Sequence, residues 1–362
     1  MSEEITTKDI LILFLLSCLS FAESVTNLLT LLQYYDDGTK NWFYMSLTFL
    51  IFPCFLFTVA YIIFHGTRWR DITCIYSALC LFGCHPFAAA FLTLEAVFVC
   101  VWKKIWQDEA ITEGTHEHNI VTFANICAFF AANCGSAPQF IIQLYVMSVQ
   151  NKSMSNIQIT SLVISFLFVL WTFHVMEEDD THTASTKTEI SIFIARLFLL
   201  SSRMFAVTYF VVAFKWWTIV GLVAHFFVVK ILHHVWRCGR GNSQSDEFSI
   251  IAFEWLWQFV LDWLGYKTFS WKFDDEMSGT GNTTKPTKIL ELLSTILTVF
   301  ENITMILLYC FIFQRFDNWY SLLVTVSVCS FSVVGTILKS LQLKFSLHNQ
   351  NAVEPQSSNN IP

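Results

Sequence analysis

Stretches of about 20 apolar residues recur along this chain, each the length an α-helix needs to cross a bilayer's hydrocarbon layer. Lipid offers the backbone no hydrogen bonds, so a crossing segment must satisfy its own N–H and C=O groups, as a helix does. The long segments are Ile10–Gln33, Trp42–Phe64, Ile120–Val149, Ile157–Met176, Ile190–Phe214, Trp216–Trp236, Ile289–Phe313 and Trp319–Leu341. They predict an all-α fold: a polytopic membrane helical bundle of about eight transmembrane helices. Two further apolar segments are interrupted, Asp71–Trp106 by Gly83 and Pro86, and Phe248–Trp271 by Glu254, Asp262 and Gly265. Both are read as re-entrant helices that dip into the membrane and return, buried against protein. Composition agrees: 54% of the 362 residues are hydrophobic and 14% charged, against about a quarter charged in soluble domains.

The distribution of Lys and Arg sets the orientation. With these spans, most cations, from Arg68 and Arg70 to Lys339 and Lys344, fall on the side of both termini. Lys40, Lys152, Lys215 and Arg315 fall on the other. By the positive-inside rule both termini are cytosolic. The first segment is too long for a signal-peptide core and lacks a small-residue cleavage site, so it is read as a retained span. Connections such as Gln107–Asn119 and Glu177–Glu189 are short, leaving a membrane domain over residues 1–347 and a polar, disordered cytosolic tail over 348–362. Of three NxS/T sequons, only Asn151 falls in an expected outer loop; Asn282 is expected on the cytosolic side and Asn302 lies within a span. Cys18, Cys54, Cys127, Cys310 and Cys329 lie within apolar spans, where free thiols are expected.

Ionisable and amide side chains nevertheless sit inside these spans: Glu23, Asn27, Gln139, Gln143, Arg196, Arg203, Lys230, Glu254, Asp262, Glu291 and Glu301. Such groups are costly in hydrocarbon and mark wet pathways or interhelical pairing. Glu23 and Asn27 are four apart and share one helix face. They present a polar strip to a hydrated pathway, or bond to a neighbouring span such as that of Arg203. Arg196 and Arg203 stand two turns apart; a planar guanidinium suits phosphate, while Arg196 could instead snorkel to the interface. Pro138 predicts a kink in its helix, and Gln139 and Gln143, again four apart, either glue helices together or line a groove. Glu254, Gln258 and Asp262 form an i, i+4, i+8 stripe on the second re-entrant helix, which could equally be the solvated face of a surface helix. For Glu301 an Arg partner is expected.

Enzyme motifs are missing: there is no GxxxxGK[ST] phosphate loop, GxSxG elbow or HExxH pair. His116 and His118 with Glu113 and Glu117 read as a solvated loop rather than a metal site. No cofactor, metal or nucleic-acid partner is expected, and no enzymatic activity.

The chain resembles the XK-related membrane proteins in the first span running into QYYDDGTKNWFYMSLTFLIFP, then in SAPQFIIQLYV and FIARLFLLSSRMFAVTYF, with FEWLWQF and FENITMILL as weaker matches. The resemblance implies a phospholipid scramblase that exposes phosphatidylserine without ATP, linked to apoptosis and placed at the plasma membrane. Its expected partners are membrane phospholipids and a membrane or cytosolic protein. Glu23, Asn27, Gln139, Gln143, Arg196 and Arg203 would form the lipid pathway. The chain departs from the family pattern at Asn27, where a second acid is typical, and at Ala131 and Gly135, where acids are common. The segment from Lys344 to Pro362 contains no Asp, which leaves a caspase nothing to cut there, and the expected outer loops contain no Cys. The alternatives are a small-solute transporter and a non-catalytic subunit of a membrane complex.

Overall fold

The computed structural model of the chain describes residues 5–64, 85–106, 111, 115–150, 155–178, 186–238, 285–313 and 319–353. The elements among these are all helical. In order they are α1 (Thr7–Asp36), α2 (Lys40–Phe64), α3 (His85–Val101), α4 (His116–Ala131), α5 (Ala137–Gln150), α6 (Asn156–Glu178), α7 (Thr186–Phe214), α8 (Trp217–Cys238), α9 (Lys285–Phe313) and α10 (Trp319–Val353). Two π-helical turns, Trp102–Trp106 and Ala132–Ser136, extend α3 and join α4 to α5.

Six stretches are long and apolar enough to cross a membrane: Thr7–Asp36, Ile120–Val149, Asn156–Met176, Glu189–Phe214, Leu292–Ile312 and Leu322–Gln342. Their exposed faces are apolar, with Phe14, Phe21, Phe300, Phe311, Val326 and Ile337 all open. Lipid tails, not water, suit such faces. The other two expected spans fall on α2 and on α8, where the apolar run among described residues is Trp217–Val228. An eight-span count therefore goes beyond what these helices establish. Of the two interrupted segments, the first contributes the 17-residue α3; the second lies outside the described residues.

The chain divides into two compact units, Met1–Asp179 and Asp180–Pro362. In the first, α1 packs most extensively against α3 and α6. Its start is fixed by Thr6 and Asp9, which bond each other's backbone N–H in a capping box. Its end turns through Gly38, whose φ of 69° places it in the left-handed region that glycine tolerates. Ser155 caps α6 in the same way, its hydroxyl accepting from Gln158 N–H at 3.2 Å. In the second unit α7 is central, packed on α9 and α10. Gly335 permits that crossing: a Cβ there would lie 2.7 Å from Leu199 Cγ and 3.2 Å from the Ala195 carbonyl.

Two boundaries differ from expectation. His116–His118 open α4 rather than lying in a loop, with Thr115 as N-cap, and Glu117 pairs with Lys103 at 2.9 Å. Among the described residues no cluster of His, Cys, Asp or Glu could hold a metal. At the other end α10 continues to Val353, past the expected start of the tail at His348. No helix breaker intervenes before Pro355, which disfavours helix in the residue before it.

Candidate functional site

Glu23 and Asn27 lie on the buried face of α1, 7% and 3% exposed. The shared face that their spacing predicts is realised: the Asn27 amide N–H donates to Glu23 Oε1. The same oxygen accepts from the Ser136 hydroxyl at 2.7 Å. A carboxyl oxygen has two lone pairs, so Oε1 can accept both bonds at once. Asn27 Oδ1 accepts in turn from Ser161 at 2.9 Å and Ser165 at 3.4 Å, both on α6. Ser161 Oγ accepts from Gln143 Nε2 at 2.8 Å. One hydrogen-bonded chain thus ties α1, the π-helical turn, α5 and α6 together inside the first unit.

That turn explains how Ser136 and Gln139 come to face α1. Pro138 has no N–H for the carbonyl four residues back, and the extra residue of the π turn at Ala132–Ser136 absorbs the fault just ahead of it. The kink expected at Pro138 appears as this widened turn. Beyond it the two glutamines part in role. Gln143 is interhelical glue through its Nε2, which donates to Ser161. Gln139, 4% exposed, makes no side-chain hydrogen bond among the described residues and lines a cleft.

The cleft is small and partly open, with a cavity volume of about 20 Å³, room for about one water-sized group. Glu23, Asn27, Gln139, Ala131 and Gly135 line it on one side, and Phe49, Leu50 and Pro53 of α2 on the other. The small size of Ala131 and Gly135 helps leave the space. A Cβ on Gly135 would meet Pro53 Cγ at 3.2 Å.

Arg203 belongs to a different arrangement, within the second unit. Its side chain is fully buried. Its Nη1 donates to Glu301 Oε2 at 2.6 Å and to Asn302 Oδ1 at 2.9 Å. His225 Nδ1 lies 2.7 Å from the same Glu301 oxygen. Asn302 Nδ2 donates to Ser202 at 3.3 Å, and Ser202 bonds Ser332. The Arg partner expected for Glu301 is Arg203. Within the first unit Glu23 is held by Asn27 and Ser136. Arg196, one of the proposed pathway residues, is half-buried on α7. Glu254, Gln258 and Asp262 lie outside the described residues.

Sequence reasoning missed Ser136, Ser161, Ser165 and His225 as members of these networks. The serines at 161 and 165 carry the same i, i+4 signal as the amides, and that spacing on an apolar helix could have pointed to them.

Comparison with known proteins gives one family. The family model described as XK-related protein matches residues 11–345, most of the chain. No curated protein matches it significantly.

Proposed function

Because the chain belongs to the XK-related family, we propose that it is a phospholipid scramblase: it lets headgroups cross the bilayer without ATP and so exposes phosphatidylserine. The observation that carries this reading is the Glu23 cleft, where a carboxylate and an unbonded amide line a partly open space beside apolar helix faces. A lipid flips slowly because its polar head must leave water. Side chains that replace part of the lost hydration lower that barrier, while the tails stay in lipid. No bond is made or broken, so the protein is not an enzyme and needs no cofactor. Its partners are membrane phospholipids, joined by a membrane or cytosolic protein that regulates it. It sits in the plasma membrane as a multi-pass protein with both termini in the cytosol, and its activity serves apoptotic cell-surface marking.

The test is a dithionite assay on purified protein in liposomes with a tail-labelled lipid. Bleaching beyond the outer-leaflet fraction is expected for the native chain, and a marked slowing for Glu23→Leu. Bleaching confined to the outer leaflet for well-folded native protein would reject the reading. The subunit alternative draws on one observation, the closed network around Arg203, which spends its charges on assembly. Silence in both lipid flipping and solute counterflow would favour it, whereas counterflow without flipping would favour the transporter.

A further inference from the structure

We propose that the Glu23 cleft binds a primary ammonium group, and that its ligand is the aminoethyl head of an ethanolamine phospholipid. The inference deepens the scramblase reading and rests on it only for the lipid source of the amine.

Three acceptors belong to residues that line the cleft. Both hydrogen bonds to Glu23 fall on Oε1, so Oε2 accepts none among the described residues. Gln139 is 4% exposed and lines the space with its amide unbonded. Its amide has no protein partner among the described residues, so a group that enters the cleft can gain a hydrogen bond there. The third acceptor comes from the backbone. Pro53 lies inside α2 and has no N–H to give the carbonyl of Phe49. That carbonyl would be 3.5 Å from a Cβ on Gly135, which lines the same cleft.

A primary ammonium carries one positive charge and three N–H donors. It matches one carboxylate oxygen, one amide oxygen and one freed carbonyl. The methylenes next to the nitrogen find Phe49, Leu50 and Pro53. Other ligands fit worse. A divalent cation of the calcium type wants six or more oxygens and more negative charge. A quaternary ammonium donates no hydrogen bond and would leave Gln139 unpaired. Among the described lining residues there is no Lys, Arg or His, so none of them neutralises the extra carboxylate of a serine head beside Glu23.

The experiment measures lipid retained on the full-length protein by native mass spectrometry, with phosphatidylethanolamine, phosphatidylcholine and phosphatidylserine of matched tails. Retention of the ethanolamine lipid is expected about tenfold above the choline lipid, the scale of one hydrogen bond to a charged group. Phosphatidylserine should fall below phosphatidylethanolamine. Glu23→Gln should abolish the preference, and so should Gly135→Val, which fills the cleft without touching the carboxylate. Each variant is compared at matched thermal midpoint. If Glu23→Gln does not fold, Gly135→Val and Gln139→Leu carry the test alone. Equal retention of ethanolamine and choline lipids overturns the proposal, as does a preference that survives both Glu23→Gln and Gly135→Val. Displacement by ethylammonium but not by tetramethylammonium or sodium supports the ammonium chemistry. Ethylammonium protection against heat with no lipid preference overturns the lipid source. A headgroup preference in protein that flips no lipid supports the site and rejects scrambling alone.

Discussion

Glu23 stands near the middle of a 30-residue apolar helix, and small neutral donors hold it there. Ser161 matters as much, since it receives from Gln143 and gives to Asn27. Ser161→Ala leaves the Gln143 N–H without its acceptor and Asn27 with only the longer bond from Ser165, and the expected cost is about 1 kcal/mol, within the range for hydrogen bonds inside membrane proteins. A lower unfolding midpoint in detergent, with little change for Ser148→Ala, would check it. Arg203 raises larger stakes. Arg203→Ala leaves Glu301 without its guanidinium partner and should cost about 3–5 kcal/mol. Replacing both, as Arg203→Met with Glu301→Leu, should recover much of the loss in the same melt. The paired spacings of Glu23 with Asn27 and of Gln139 with Gln143 were legible because four residues close one helical turn. What they touch was not. Glu301 lies 98 positions from Arg203, and nothing local in a sequence links two helices so far apart.

Helix existence follows from apolar length and was legible for most elements, whereas helix ends and contacts depend on particular residues. The crossing of α7 and α10 depends on Gly335. Gly335→Val should lower the unfolding midpoint, with overpacking costing about 1–3 kcal/mol because Leu199 Cγ and the Ala195 carbonyl already sit where the new atoms would go. Gly335→Ser should cost less. Pro138 illustrates the limit of local reading. A proline in a helical pattern announces a fault, but whether the chain answers with a bend or a widened turn depends on the neighbours. Here the turn at Ala132–Ser136 sends Ser136 towards Glu23. α10 runs to Val353, two residues before Pro355, which the sequence marks as a helix breaker.

The two units each close a polar network on their own residues, Glu23 to Gln143 in one and Arg203 to Ser332 in the other. Family membership covers both. The topology that accompanies the proposed function has its own check: single cysteines placed at Ser2 and at Ser357 should resist an impermeant thiol reagent on intact cells and react after permeabilisation, while one at Lys152 should react from outside. Labelling of either terminus on intact cells would reverse the orientation. The first unit also carries a mechanical consequence in α2. Where Pro53 omits one rung of the ladder, flexing the rod breaks nothing, so its compliance concentrates opposite Gly135. Pro53→Ala, by restoring the rung, should stiffen this stretch of α2, and a higher unfolding midpoint in detergent would show it.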